Sequence, residues 1–265
     1  MPREPMREIV AGVDDSLDPA ALLELAAAEA ALRSAPLTLV AVSAQAGPAV
    51  LQDAVRRVRV AHPALVVRIE RLSGDPATAL LSRSAGASLL MLERGDRRGG
   101  GRTGSRGSGS LAATVLGGAT VPVVICPSGG SHPGDGPVVV GIDGTPGSEA
   151  ALRFGFAAAD LRHAPLTATH LWPPLVGPGP GYSGASAAED AFLDLLETWS
   201  GKYPDVPVRL AVRHGVDAAI VLAAASRSAQ LVVVASAASD AAVSPMLAAL
   251  AVRATCPVAV VPSAA

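Results

Sequence analysis

Aromatic residues are scarce in this chain of 265 residues, since Phe, Tyr and Trp together make up 3% of it. Half of the residues are nonetheless hydrophobic, so Ala, Val and Leu must fill the core. Side chains of this size let helices lie close to a sheet. The composition therefore favours closely packed helix and sheet layers.

Cysteine and net charge are also low. Two cysteines, Cys126 and Cys256, are too few for a disulfide framework, no Cys-x-x-Cys motif occurs, and the five histidines are scattered. We therefore expect a reducing compartment and no structural metal. A formal net charge of −2 gives no general attraction to nucleic acid or to an anionic membrane.

Long uninterrupted apolar segments are missing as well. The first eight residues are charged and lack the apolar core of a signal peptide. The best candidate for a membrane span, residues 218–238, is interrupted by Arg227, Ser228 and Gln230, whereas a span needs about 20 nearly continuous apolar residues. We expect a cytoplasmic protein with no membrane or nucleic-acid partner.

The chain contains an internal repeat. Three short segments recur in the same order, the first two at a spacing of 129 residues and the third at 135: 11–14 with 140–143, 35–38 with 164–167, and 120–123 with 255–258. Three matches in one order indicate a duplication, and the change in spacing is what loop insertions produce. We predict one domain over residues 1–127 and a second over 137–265, joined by a Pro/Gly/Ser-rich linker.

Short apolar runs alternate with longer Ala-rich segments in both copies. The predicted strands are 8–13, 37–42, 65–69, 89–92 and 121–126, and then 138–142, 166–172, 206–212, 231–235 and 258–261. Asp18 with Pro19, and the capping box Ser186–Glu189, predict helix starts. The alternation predicts an α/β fold of two tandem doubly wound domains, each a five-stranded parallel sheet with helices on both faces.

An aspartate follows the first predicted strand in both copies. Asp14 comes after Gly12 and Val13, and Asp143 comes after Gly141 and Ile142. In open parallel sheets, ligands bind outside the carboxyl ends of the strands, so either carboxylate is placed to accept hydrogen bonds from a ligand. The alternative is that each carboxylate caps the following turn, and the repetition leaves the two interpretations about equal.

A Gly- and Arg-rich segment runs from Gly95 to Ser110, between the fourth predicted strand and a helical run that starts at Leu111. Backbone N–H groups of such a loop approach phosphate oxygens without obstruction by Cβ atoms, and a helix N-terminus adds further donors. Four arginines in the segment add attraction for an anion. The alternative is a soluble, linker-like loop without a ligand.

Motifs of catalysis are missing. The spacing Gly99-x-Gly101-x-x-Gly104 matches a dinucleotide fingerprint but follows the fourth strand rather than the first. Neither a Walker A motif nor a Gly-x-Ser-x-Gly elbow occurs. We interpret the histidines as surface or structural residues, and both cysteines as small buried hydrophobic residues.

The residues from Val140 to Leu152 resemble the start of a universal stress protein domain, and the segments 164–167 and 254–258 fit the same pattern. The first copy shows the series in looser form, including 73–77 before its third helix. The resemblance covers nearly the whole chain twice. It implies five parallel strands in each domain, ATP binding in some members, and pairing of domains through their last strands, which predicts an intrachain pseudo-dimer and allows a homodimer.

The resemblance assigns candidate site residues to the first domain only. It implies that Val13, Asp14 and Val42 face an adenosine, and that Gly95, Gly99, Gly109 and Ser110 hold the phosphates of ATP, with Mg²⁺ as a further ligand.

Both copies depart from the motif of the binding members. In the first, Asp96 or Glu93, depending on the alignment, stands where a glycine belongs. The second copy's loop, residues 235–245, has no glycine and puts Pro245 where a hydroxyl residue belongs. Since proline has no N–H donor, we predict no ATP binding there.

The leading hypothesis is a non-enzymatic stress-response protein that acts on a protein partner, with ATP bound in the first domain only. One alternative is a pair of degenerate domains that bind no nucleotide and act through protein contacts. The other is an ATP-hydrolysing enzyme, although no lysine lies near the Gly-rich loop.

Overall fold

The computed structural model describes ten segments of the chain, which are residues 7–13, 20–41, 48–94, 111–127, 134–143, 145, 147–172, 182–214, 217–236 and 244–263. The chain divides into two compact units. Unit 1 comprises residues 1–131 with 240–244, and unit 2 comprises residues 132–239 with 245–265.

Ten strands and eight helices are described, and the two kinds of element alternate within each unit. The strands are β1 (Ile9–Val13), β2 (Leu37–Ala41), β3 (Val67–Arg71), β4 (Leu89–Glu93), β5 (Val123–Cys126), β6 (Val138–Ile142), β7 (Leu166–Trp172), β8 (Val208–His214), β9 (Leu231–Ser236) and β10 (Val258–Pro262). The helices are α1 (Ala20–Leu32), α2 (Pro48–Ala61), α3 (Pro76–Ser84), α4 (Leu111–Gly118), α5 (Gly147–Leu161), α6 (Tyr182–Lys202), α7 (Ala218–Ala225) and α8 (Pro245–Arg253).

Unit 1 contains a parallel sheet with the strand order β3-β2-β1-β4-β5. The strands β2, β1, β4 and β5 are almost wholly apolar and buried, as expected for strands covered on both faces. The first strand in the order, β3, buries Val67 but exposes Arg68 and Arg71, which is typical of a sheet edge.

Unit 2 repeats this order as β8-β7-β6-β9-β10, again with all neighbours parallel. A Cβ atom on Gly155 of α5 would lie 2.4 Å from Cγ2 of Val140, and one on Gly141 would lie 2.8 Å from Cδ1 of Leu222 in α7. Because adjacent strand residues point to opposite faces, α5 and α7 cover opposite faces of the sheet. The predicted α/β, doubly wound fold class is confirmed.

Two helices begin on aspartates at equivalent places. Asp75 accepts a hydrogen bond from the N–H of Thr78 before α3, and Asp217 accepts from the N–H groups of Ala219 and Ile220 before α7. An aspartate in this position satisfies N–H groups that lack partners in the first turn. The hydrogen bonds from Thr78 lower the pKa of Asp75.

Several predicted boundaries were wrong, among them the start of β5, which is at Val123 instead of residue 121. The strands β3 and β8 also begin two residues later than predicted. The N–H groups of Leu65 and Val206 donate to the carbonyl oxygens of His62 and Tyr203, so these two residues belong to turns and not to strands. The capping box at 186–189 does not start a helix, since α6 already begins at Tyr182. The helix start predicted at Asp18 and Pro19 lies outside the described residues.

Within the described segments, no helix is both long enough and apolar enough to span a membrane.

Candidate functional site

The carboxyl edge of the sheet in unit 1 is where the order of strands reverses. Strand β1 pairs with β2 on one side and with β4 on the other, and the chain runs outward from it in both directions. At this edge Val13 pairs with Ala41, and Gly12 pairs with Leu92. Such a reversal separates the loops that follow neighbouring strands and leaves a crevice, which is the usual ligand site of this architecture.

One predicted site residue, Val13, lies inside the described part of the chain, where it ends β1 and is 6% exposed. The other six predicted site residues lie outside the described residues, and they are Asp14, Val42, Gly95, Gly99, Gly109 and Ser110. The described chain reaches the positions next to four of them, through Val13, Ala41, Arg94 and Leu111. The structure therefore brings together the strand ends that carry Asp14, Val42 and the Gly-rich segment.

The side chains around Gly12, next to the carboxyl end of β1, are closely packed. A Cβ atom on Gly12 would lie 2.6 Å from Cδ2 of Leu92 and 3.1 Å from Cδ2 of Leu80. The absence of a side chain at Gly12 lets α3 approach the sheet directly under the strand end. Gly141 of unit 2 has the same relationship with Leu222 and Val234.

The end of β4 is fixed by the neighbouring strand. Glu93 pairs with Cys126, and the backbone N–H of Arg94 donates to the carbonyl oxygen of Cys126 at 2.7 Å. Glu93 is partly exposed, so its carboxylate stands at the start of the Gly-rich segment. A negative charge there repels phosphate groups, although water weakens the effect at a partly exposed position.

The equivalent edge of unit 2 shows how its aspartate is used. The Oδ1 atom of Asp143 accepts hydrogen bonds from the N–H of Thr145 at 3.0 Å, from the Thr145 hydroxyl at 2.7 Å and from the Ser148 hydroxyl at 3.1 Å. An aspartate that bonds two residues ahead forms an Asx turn. At Asp143 the capping interpretation is therefore confirmed.

The first turn of α5 also lies close to two strand ends of unit 2. A Cβ atom on Gly147 would lie 3.1 Å from Cβ of Ala235 and 3.2 Å from Cβ of Ser263. Ser263 is held by two hydrogen bonds to the carbonyl oxygen of Ser236. These contacts place the first turn of α5 directly against the carboxyl ends of β9 and β10.

Pro245 is the first residue of α8. Since proline lacks an N–H group, this helix begins with one donor fewer than α4 of unit 1, whose first residue is Leu111. A helix N-terminus holds an anion through its free N–H groups, so the start of α8 offers an anion one donor fewer.

Sequence reasoning missed the position of His170. It is 1% exposed, pairs with Ile142 next to Asp143, and its ring centroid lies 4.8 Å from that of Phe192. The interpretation of His170 as a structural residue agrees with this packing. The internal repeat gave no signal for a buried histidine at this position, because the equivalent residue in unit 1 is Ala41.

Both cysteines are buried, at 0% exposure for Cys126 and 1% for Cys256. Burial raises the pKa of both thiols, that of Cys256 to about 12. They therefore stay protonated near neutral pH and are poor nucleophiles. Across the described segments, no group of three or more His, Cys, Asp and Glu side chains is arranged to hold a metal ion.

A charged cluster lies towards the amino edge of the sheet in unit 1. Arg83 donates two hydrogen bonds to Glu8, at 2.8 and 3.0 Å, and two to Glu70. The hydroxyl of Thr38 donates to Glu8 at 2.6 Å. The Arg83 guanidinium lowers the pKa of both carboxyl groups, and Arg68 adds to the effect. The cluster joins α3 to the edge strand and is not part of the candidate site.

Comparison with known proteins identifies the relatives of the chain. Residues 136–262 match the model of the universal stress protein family. The universal stress protein Rv2005c of Mycobacterium tuberculosis is 32% identical over an alignment of 266 positions, which covers 86% of each chain. A universal stress protein of Mycolicibacterium smegmatis is 33% identical over an alignment of 260 positions, again with 86% of each chain covered.

A solved structure agrees over the full length. The universal stress protein from Archaeoglobus fulgidus superimposes with a TM-score of 0.65, at 15% identity, over 97% of this chain and 96% of its own. At this level of identity the likeness concerns the fold.

Proposed function

The chain belongs to the universal stress protein family, and we propose that unit 1 binds an adenine nucleotide, ATP with Mg²⁺, while unit 2 binds none. The proposed role is non-enzymatic: nucleotide binding changes the affinity of the chain for a protein partner in a stress response.

The observation that carries the proposal is the strand register at the carboxyl edge of unit 1. Val13 pairs with Ala41, and Gly12 pairs with Leu92. Asp14 and Val42 come next along the chain after Val13 and Ala41, and β4 continues through Arg94 into the Gly-rich segment. This arrangement supports a site at which all three segments meet one ligand.

In the proposed site, Val13, Asp14 and Val42 contact the adenosine. The backbone N–H groups of the Gly-rich segment, including Gly95, Gly99, Gly109 and Ser110, and the start of α4 contact the phosphates. Glycines let the backbone come close to phosphate oxygens, and the helix N-terminus adds a partial positive charge. Arginines in the segment, such as Arg98 and Arg102, offset the negative charge of Glu93.

The contacts of unit 2 support the absence of nucleotide there. Oδ1 of Asp143 already accepts three hydrogen bonds, and Pro245 removes an N–H donor from the start of α8. The segment between β9 and α8 contains no glycine. A nucleotide would meet an aspartate with one oxygen already engaged in the turn and would find fewer donors for its phosphates.

The absence of catalytic motifs supports the non-enzymatic part. No lysine lies between residues 95 and 110, and no Walker A motif occurs in the chain. In the proposed role the nucleotide is therefore a ligand and not a substrate. A ligand shifts the equilibrium between two conformations to the extent that it binds one of them better.

Calorimetric titration of the full chain with ATP and Mg²⁺ tests the proposal, together with an assay for ADP release. We expect one site per chain and no steady release of ADP. Two sites would contradict the assignment of unit 2, and continuous ADP release would contradict the non-enzymatic role. No binding heat and no thermal shift would contradict nucleotide binding altogether.

A further inference from the structure

The exposed face of helix α7 in unit 2 is apolar at its centre and charged at its ends. Asp217, Ile220, Ala224 and Arg227 are all exposed, Ile220 by 56%. Steps of three, four and three residues place these side chains on one side of a helix. Arg227 continues the helical winding, since its N–H donates to the carbonyl oxygen of Ala224 at 3.3 Å. These four residues form a surface that we call the α7 stripe.

Unit 1 has a polar face at the equivalent place. The aspartates that cap α3 and α7 align the two helices, so Thr78 and Ser82 stand where unit 2 has Ile220 and Ala224. Both residues of unit 1 are exposed, and polar side chains are the usual composition of a helix face toward water. Folding of the repeat therefore does not require apolar side chains here, and the apolar centre of the α7 stripe indicates a contact with another molecule.

Helix α8 enlarges this surface. It packs against α7, and its exposed residues include Pro245, Ala248 and Val252, the last of them 51% exposed. Two neighbouring helices of unit 2 therefore both present apolar side chains to solvent. A continuous exposed apolar surface with a polar rim is a feature of protein–protein contacts.

The order of residues in the α7 stripe is symmetric about Leu222. Asp217 and Arg227 each lie five positions from Leu222, and Ile220 and Ala224 each lie two positions from it. Two such helices that pack antiparallel across a two-fold axis therefore place each Asp217 beside the Arg227 of the other, and each Ile220 beside the other Ala224. A two-fold interface needs such a self-complementary surface, whereas a partner of another kind needs no symmetry.

The charges at the ends of the α7 stripe are available for a partner. Both hydrogen bonds that Asp217 accepts from the start of α7 end on Oδ1, at 2.8 and 3.3 Å, so Oδ2 can accept from another molecule. Neither Asp217 nor Arg227 belongs to the ion pairs of the described segments. Antiparallel packing also brings the positive end of each helix dipole next to the negative end of the other.

We propose that the α7 stripe is a homodimer interface, in which α7 packs antiparallel against α7 of a second copy of the chain. Each Ile220 lies in the space that the small Ala224 of the other copy leaves, and each Arg227 pairs with the other Asp217. Large side chains of one helix between those of the next are how helices pack closely. Helices of eight and nine residues cover less than the roughly 800 Å² per partner of a typical stable interface, so this dimer is weak and depends on concentration.

Sedimentation velocity of the full chain without nucleotide, over a wide range of protein concentrations, measures this dimer independently of the proposed function. Ile220→Ala should raise the dissociation constant roughly tenfold or more, because it removes two buried side chains from each dimer. Its thermal stability should stay close to that of the wild type, since Ile220 is largely exposed in the monomer. Val60→Ala is the matched control: it removes an apolar side chain that is 80% exposed from a helix of unit 1 and should leave the association unchanged.

A double variant tests the antiparallel arrangement. Adding Ala224→Ile to Ile220→Ala exchanges the large and the small member of both pairs, so it should recover much of the association that Ile220→Ala loses. Arg227→Glu places like charges beside Asp217 and should weaken the dimer. Arg209→Glu makes the same change of charge at an exposed position of β8 and should have no effect.

The proposal is wrong if the wild type is monomeric at every concentration, or if Ile220→Ala associates as the wild type does. It is equally wrong if the double variant associates no better than Ile220→Ala, because α7 then does not meet a second α7 in this register. Association that is lost in Arg209→Glu and kept in Arg227→Glu would also overturn it, since the copies would then meet through the edge strand β8.

Discussion

The Oδ1 atom of Asp143 accepts a hydrogen bond from the Ser148 hydroxyl at 3.1 Å, which joins the end of β6 to the first turn of α5. The same oxygen accepts two more hydrogen bonds from Thr145. In unit 2, an aspartate at the edge where this fold binds ligands thus stabilises the protein itself. It follows that the two copies of the repeat use one residue in different ways if Asp14 binds a nucleotide.

Asp143→Ala should lower the free energy of unfolding of unit 2 by about 1 kcal/mol, the usual cost of losing a capping side chain. Asp143→Asn should cost less, because an amide oxygen still accepts these bonds. Both tryptophans, Trp172 and Trp199, belong to unit 2, so their fluorescence during urea denaturation reports its unfolding. Asp205→Ala changes an exposed aspartate of the same unit and is the control; equal stability of the two Ala variants would contradict the capping role.

Gly155→Ala and Gly201→Ala form a matched pair of helical glycines in unit 2. A Cβ atom on Gly155 would lie 2.4 Å from the stiff, buried Val140, whereas one on Gly201 meets nothing within 4 Å. We expect Gly155→Ala to destabilise unit 2 by about 1–3 kcal/mol through overpacking. Gly201→Ala should be neutral or stabilise it by up to about 1 kcal/mol through helix propensity. Tryptophan fluorescence in urea measures both, and a stabilising Gly155→Ala would contradict the close contact of α5 with the sheet.

Arg83→Gln should lower the stability of unit 1 by roughly 1–2 kcal/mol at pH 7, because it breaks the hydrogen bonds to two carboxylates at once. The Arg83 guanidinium lowers the pKa of Glu8 and Glu70 from 4.5, so this stabilisation is complete above that pH and declines below it. The difference between wild type and variant should therefore shrink as the pH falls below about 4.5.

Differential scanning calorimetry at several pH values from neutral to acidic follows this difference. Arg56→Gln, which removes an exposed pair with Asp53, is the control and should have little effect at any pH. A difference between wild type and Arg83→Gln that grows in acid would contradict the assignment of the cluster.

Thiol reagents should not modify the native protein at pH 8. Cys126 and Cys256 are buried, and burial raises the pKa of both thiols, which keeps the reactive thiolate form rare. Labelling with a chromogenic disulfide should be slow in buffer and should reach two thiols per chain in denaturant. Rapid labelling of the native chain would contradict this prediction, because it would show that the segment around Cys126 or the segment around Cys256 opens readily.

The sequence predicted the inner strands well because they are continuously apolar. Val138–Ile142 has its predicted bounds, since the apolar run ends at Asp143. The edge strands were misplaced by two residues, because Val67–Arg71 exposes charged side chains and its apolar neighbour Leu65 belongs to a turn. Burial on both faces produces a clear sequence signal, and burial on one face only does not.

The site was less accessible to sequence reasoning. The position of an aspartate at a strand end could be predicted, but not whether its oxygens are already used, since that depends on the turn that holds Thr145 and Ser148. The stacking of Tyr203 on Phe156 and Trp199 in unit 2 was missed for another reason. Phe156 corresponds to Ala27 at a spacing of 129 residues, whereas Tyr203, which follows α6 as His62 follows α2, corresponds to His62 at a spacing of 141. A single spacing therefore does not align both pairs.

The most direct measurement is a calorimetric titration of ATP and Mg²⁺ into three proteins: the wild type, Asp14→Ala and Asp143→Ala. The two variants change equivalent residues of the repeat, so each is the control for the other. We expect one site in the wild type, its loss in Asp14→Ala, and the same site and affinity in Asp143→Ala despite the lower stability of unit 2. Loss of binding in Asp143→Ala with unchanged binding in Asp14→Ala would contradict the assignment of the nucleotide to unit 1.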